Sequence, residues 1–203
     1  TALGIDWWEV KWLKQLNLDE IEALTKLLNL IEESVAWPQQ IMINIIILMG
    51  KPTGGSRPIA LMPMIYRIWT KIRKQDITAW EEENVGPWDA AVKGSSALRA
   101  AILSAFADEV HTLLHDEVAV ILWDMEKFYD NIDLKLLILR AIELGLPIAI
   151  LTLCIIMHCA PRIMRAYKTY EMADLPANGI IAGCKMSNLF ARIMLYAILD
   201  EAY

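Results

Sequence analysis

Cysteine is scarce in these 203 residues: Cys154, Cys159 and Cys184 are odd in number and form no CxxC. Neither a disulfide framework nor a zinc knuckle is expected from such a set, and a reducing, intracellular setting is the default. Long apolar runs are missing too. Apolar runs such as Ile45 to Met49 and the largely apolar Leu146 to Met157 fall short of the roughly 20 residues a bilayer span needs, so they read as core elements and no membrane partner is expected. There is no charged-then-apolar leader, no internal repeat, no low-complexity segment and no Walker pattern. Thr1 stands where a start methionine would be, and Tyr203 falls inside a helical pattern with no stop signal. The expectation is a fragment of a longer protein at both ends.

Excess positive charge is also lacking. Lys and Arg number 19 against 25 Asp and Glu, a net charge of −6, which argues against a protein whose whole surface grips nucleic acid. The distribution is uneven, however. Lys51, Arg57, Arg67, Lys71, Arg73 and Lys74 lie between Gly50 and Gln75 with no acid among them, and Arg162, Arg165 and Lys168 form a second basic stretch. Local patches of this kind are compatible with phosphate binding on an acidic body.

The length favours one domain, two at most, with a substantial core. Residues 7 to 35 carry Leu16, Ile21, Leu24, Leu27, Leu28 and Ile31 at spacings of three and four, predicting an amphipathic surface or linker helix. Residues 1–40 are therefore set apart as a helical N-terminal extension from 41–203. Ile41 to Met49 reads as a strand, GKPTGG as its turn and Arg57 to Leu61 as the returning strand. Helical patterns follow from Met64 to about Glu83, from a cap at Ser95 or Ser96 to His115, from Asp133 to Leu144, from Pro147 to about Cys159, and from Lys185 to Ala202. Between these lie an apolar strand at 118–124, a hairpin of 162–167 with 170–174, and a glycine-bearing loop from Asn178 to Gly183. The expected fold class is α+β, with few, dispersed strands.

The stretch AVILWDMEKFYDNID, residues 119–133, runs five apolar residues directly into Asp124, Glu126, Asp130 and Asp133. A carboxylate on the last residue of a buried strand stands at a sheet rim, where it can hold a hard cation such as Mg²⁺ and leave waters and phosphates to complete the octahedron. The plainer reading is a turn at Asp124, a helix cap at Asp130 or Asp133, and solvated acids elsewhere. His111 and His115 are four apart on a helix but have no intervening Glu and no third ligand, so they read as a solvated face. Met42, Met49, Met62, Met64 and Met157 read as core fillers. Ser95 and Ser96 lack the His and Asp partners of a nucleophile.

Asp124 followed by four residues and the aromatic Tyr129 resembles the first carboxylate motif of reverse transcriptases, especially those of non-LTR, LINE-like retroelements. KPTGGSRPIALMPMIYRIWTKI, Lys51 to Ile72, resembles the fingers segment of that family, and GIIAGCKMSNLF, Gly179 to Phe190, its second palm motif. The three occur in the family's order, and the resemblance covers about residues 40 to 203. WDAAVKGSSALRAAI, Trp88 to Ile102, is faintly similar to the region linking fingers and palm.

The resemblance implies a partial right-hand polymerase, a fingers hairpin plus an incomplete palm whose antiparallel sheet is backed by helices. It implies Asp124 as catalytic metal ligand, the Met125 backbone carbonyl as a further ligand, and a two-ion site for Mg²⁺, with Mn²⁺ as a substitute. It implies Lys51 and Arg57 on the triphosphate, Tyr129 beneath the sugar, and Gly183 and Ser187 near nucleotide and template. A forked guanidinium suits phosphate oxygens better than a lone lysine. A ring against C2′ leaves no room for a 2′-hydroxyl, which favours deoxynucleotides over an RNA-synthesising enzyme.

The implied partners are an RNA template, primer DNA, deoxynucleoside triphosphates and the rest of a parent polyprotein, in the cytoplasm or nucleus. Ala182 stands where the family usually has Gln, so a nucleotide or template contact by that side chain is not expected, and Asn188 stands where the family usually has Pro. The family's aromatic-x-Asp-Asp turn is expected beyond Tyr203, so the fragment alone is expected to be inactive. Two other expectations compete with this one. The first is a decayed retroelement fragment with residual nucleic-acid binding, and the second an unrelated helical interaction module.

Overall fold

The computed structural model describes residues 3–92, 94–117, 119–120, 124–173 and 175–202. Within them the fold is α+β: helices pack around a four-stranded mixed sheet. The first helical pattern divides into α1, Val10–Leu13, and α2, Leu18–Ser34, because Asn17 caps α2 in a capping box with Glu20. Leu28 and Ile31 of α2 are buried in the main core. A short 3₁₀ turn, Gln39–Ile41, leads into β1, Asn44–Gly50, which pairs antiparallel with β2, Ser56–Leu61. The turn between them places Gly54 and Gly55 at positive φ, where a side chain would be strained.

The long helical pattern after Pro63 is also two helices, α3 at Met64–Ile72 and α4 at Lys74–Asn84. They part at Arg73, whose side chain reaches across to Glu32 of α2. Helix α5, Ala97–Leu113, starts at the Ser96 cap, and α6, Leu134–Glu143, at Asp133, whose carboxylate accepts from the Lys135 and Leu136 amides at 2.7 and 3.1 Å. Helix α7, Ile148–His158, runs through the core with Leu153, Cys154, Met157 and His158 buried. Its sequence is apolar all round, as a central helix requires. Next come β3, Arg162–Ala166, β4, Thr169–Met172, and α8, Ser187–Ala202.

The sheet order is β2-β1-β3-β4. β1 and β3 run parallel, Asn44 opposite Arg162 and Ile47 opposite Arg165, which corrects the expectation of a purely antiparallel sheet. A parallel pair demands a long crossover, and the helices between β2 and β3 provide it. The predicted strand at 118–124 has Val118 and 121–123 outside the described residues. Ala119, Val120 and Asp124 are exposed and belong to no strand. Met62, Met64 and Met157 fill the core as expected and Met42 packs against it, but Met49 is exposed near the end of β1. No helix among the described residues is long and apolar enough to cross a membrane.

Candidate functional site

The glycine-bearing loop before α8 joins segments far apart in sequence. The Gly179 amide donates to the Ile132 carbonyl and the Ile180 amide to the Tyr129 carbonyl, both at 2.8 Å. At the other end of the loop the Ala60 amide of β2 donates to the Ala182 carbonyl at 3.1 Å. One short loop thus bridges the turn within the acidic stretch and the returning strand of the hairpin. Gly179 has φ +86 and lies so close to the turn that a Cβ would sit 2.7 Å from the Asp130 carbonyl oxygen. Gly183 has φ +101, and a Cβ there would meet the Ala60 carbonyl at 3.1 Å. Both glycines therefore answer a positive φ and a close backbone approach together.

Buried side chains hold the loop from beneath. Ser187 donates its hydroxyl to the Ile181 carbonyl at 2.6 Å. His158, fully buried on α7, accepts the Ile181 amide on Nδ1 at 2.9 Å. That bond assigns the ring proton to Nε2, which is buried and has no hydrogen-bond partner among the described residues. Burial, and then the Arg162 guanidinium, push the imidazole down to about 3, so it is neutral at ordinary pH. The pattern of the sequence draws attention to His111 and His115 instead. His111 is exposed and pairs with Asp116 at 2.9 Å, as a solvated face would.

Tyr129 is half-buried in a 3₁₀ turn, Phe128–Asn131, that packs against α8. Arg57 and Lys51 are exposed on the hairpin. Arg57 shares a face of β2 with Ile59, whose side chain lies within 3.6 Å of the Cβ position of Gly183. At a rise of about 3.3 Å per residue, three residues put Arg57 roughly 10 Å from Ala60, where the loop is anchored. Asp124 and Met125 are exposed on the chain leading into the 3₁₀ turn. Backbone bonds thus bring the Tyr129 and Gly183 segments and β2 to one place. Asp124 lies exposed five residues before Tyr129.

A cationic face lies next to the loop. A cavity of about 190 Å³ is lined by Ala60, Arg67, Thr70, Gly183 and Lys185 among others. Partial burial, followed by the charges of Lys71, Arg67 and Lys74, holds the Lys185 ammonium below its ordinary range. Four cations from α3, α4 and the loop therefore share one potential, the electrostatic condition for receiving an anion such as a phosphate. Nearby but distinct is a buried network that the sequence did not reveal. Arg192 of α8 binds Asp89 at 2.7 Å, the Tyr196 hydroxyl at 2.6 Å and Glu81, tying α8 to α4 and the following loop.

Among the described residues no three His, Cys, Asp or Glu side chains group as a metal site. Asp124 and Glu126 alone are an incomplete donor set for two ions. No family model and no curated protein matches the chain.

Proposed function

We propose that the chain supplies the fingers and part of the palm of an RNA-directed DNA polymerase of the non-LTR retroelement kind. One observation carries this reading: the loop at 179–183 is bonded both to the Tyr129 turn and to β2. The three segments whose motifs resemble that family thereby meet in space. The cationic face of Arg67, Lys71, Lys74 and Lys185 supports it with a phosphate-attracting surface beside the loop. On this reading Arg57 and Lys51 serve the triphosphate, Tyr129 the sugar, and Asp124 is one of several carboxylates for Mg²⁺, the others coming from outside residues 1–203. RNA template, primer DNA and deoxynucleoside triphosphates are the partners, in the cytoplasm or nucleus.

The test is nucleotide incorporation by a longer chain that carries the remaining palm carboxylates. Asp124→Asn is expected to lower kcat/KM for every nucleotide by roughly 10²-fold or more, since it removes a charged ligand without changing shape. Tyr129→Val is expected to raise the ratio of ribonucleotide to deoxynucleotide use by removing the wall at C2′. An Asp124→Asn enzyme of undiminished activity would overturn the assignment. The bare apolar side of α5 favours a second reading, a helical interaction module, which predicts no loss of function from either substitution.

A further inference from the structure

Helix α5 is 17 residues long and buries none of them. At 3.6 residues per turn, Leu98, Ile102, Phe106, Val110 and Leu113 fall within one sector of it, flanked by Leu103, and all six are exposed. Ser104, Asp108, His111 and Thr112 occupy the opposite sector. A helix of this kind normally lays its apolar side on a core, and here that side is open. Two charged residues interrupt the apolar sector, Arg99 near its start and Glu109 near its end, and both are exposed.

The order of residues along the stripe reverses onto itself. When two copies of α5 are set antiparallel about a two-fold axis midway along the helix, Ile102 lies opposite the partner's Phe106 and Leu98 opposite the partner's Val110. In the same register Arg99 lies opposite the partner's Glu109, and Glu109 opposite the partner's Arg99. An isologous contact requires this self-complementarity, apolar against apolar and each charge against its opposite. In a parallel pair each charge would face its own kind.

We infer that α5 is a self-association surface, through which two copies of this chain pair by antiparallel packing of the Leu98–Leu113 stripe, with two Arg99–Glu109 ion pairs fixing the register. The inference is independent of the polymerase reading, and neither stands or falls with the other. Its occupant is a second copy because the charges inside the stripe complement each other under a two-fold axis.

Sedimentation velocity of the intact chain over a concentration series tests the pairing. The native chain is expected to show a reversible monomer–dimer equilibrium, and Phe106→Glu to be monomeric over the same range. Arg99→Glu and Glu109→Arg each place like charges opposite one another twice. Each alone is expected to weaken the dimer by about tenfold or more, because two opposite-charge pairs inside the stripe become like-charge pairs. Mixed in equal amounts, the two variants are expected to form a heterodimer of near-native affinity, because every pair is again opposite in sign. All these side chains are exposed, so the substitutions leave the core intact, and circular dichroism of each variant verifies folding. A native chain that stays monomeric at every concentration overturns the proposal, as does a dimer that survives Phe106→Glu. A mixture that fails to recover overturns the antiparallel register.

Discussion

His158 is the residue on which acid stability is expected to turn. Its neutral ring accepts the Ile181 amide, and a proton on Nδ1 would remove that acceptor and place a charge in the core. The ordinary value of 6.5 applies in the unfolded chain, while burial and Arg162 hold the folded value at about 3. Because the folded value is the lower one, the unfolded state takes up the proton first as pH falls. The associated stability is complete above pH 6.5 and is lost progressively down to about 3. Urea unfolding at pH 7.5 and 4.5 is expected to show about 2 to 3 kcal/mol more loss in the native chain than in His158→Phe, where this proton is absent. Equal losses would refute the role. This residue was illegible in the sequence because its partner, Ile181, is distant along the chain and nothing local marks a histidine as buried. Asp133 was legible because a helix cap is a local device, complete within three residues.

Elements were legible where their causes are local and blurred where the causes are tertiary. The β1–β2 hairpin, the Ser96 start of α5 and the hairpin of β3 and β4 follow glycine, capping and β-branched signals. The break at Arg73 does not, since continuous helical periodicity gives no hint that a guanidinium will reach Glu32. The strand expected at 118–124 rests on apolar content alone, and its described residues are exposed. The loop at 179–183 announced its glycines but not their neighbours. Gly179→Ala is expected to destabilise the chain by about 1 to 3 kcal/mol, because Asp130 backbone stands in the way of the new methyl group. Gly54→Ala pays for its positive φ with open space around it, so it serves as the control for strain without collision. Urea midpoints of both, with amide exchange at Ile180, separate the two contributions. A Gly179→Ala chain no less stable than the Gly54→Ala chain would show that the loop can move aside.

Across the whole molecule, the N-terminal residues share the core with everything that follows. Trp37 donates its indole proton to the Leu153 carbonyl at 2.8 Å and meets the rings of Tyr66 and Trp69 edge-on at 5.4 and 5.3 Å. Glu32 accepts from Arg73 and from Trp69, and the Arg73 bond above all holds its carboxyl below the usual range. A chain of residues 41–203 is expected to lose cooperative unfolding and to bind ANS, since Tyr66 and Trp69 would be uncovered. Retention of a native urea midpoint would contradict this. The α+β class was readable from the sequence, whereas the partner of each strand was not, because periodicity fixes a strand's faces and leaves its neighbours open. The pairing of β1 with β3 also has a kinetic consequence. Asn44 finds Arg162 only after the helical crossover between them has been threaded into place, so the sheet closes late and the reaction is slowed by non-local loop closure. During synthesis the β1–β2 hairpin emerges well before its other neighbour. Until β3 leaves the ribosome, the run Ile45, Ile46 and Ile47 presents an open strand edge, the species most prone to aggregate and the one a chaperone would be expected to hold.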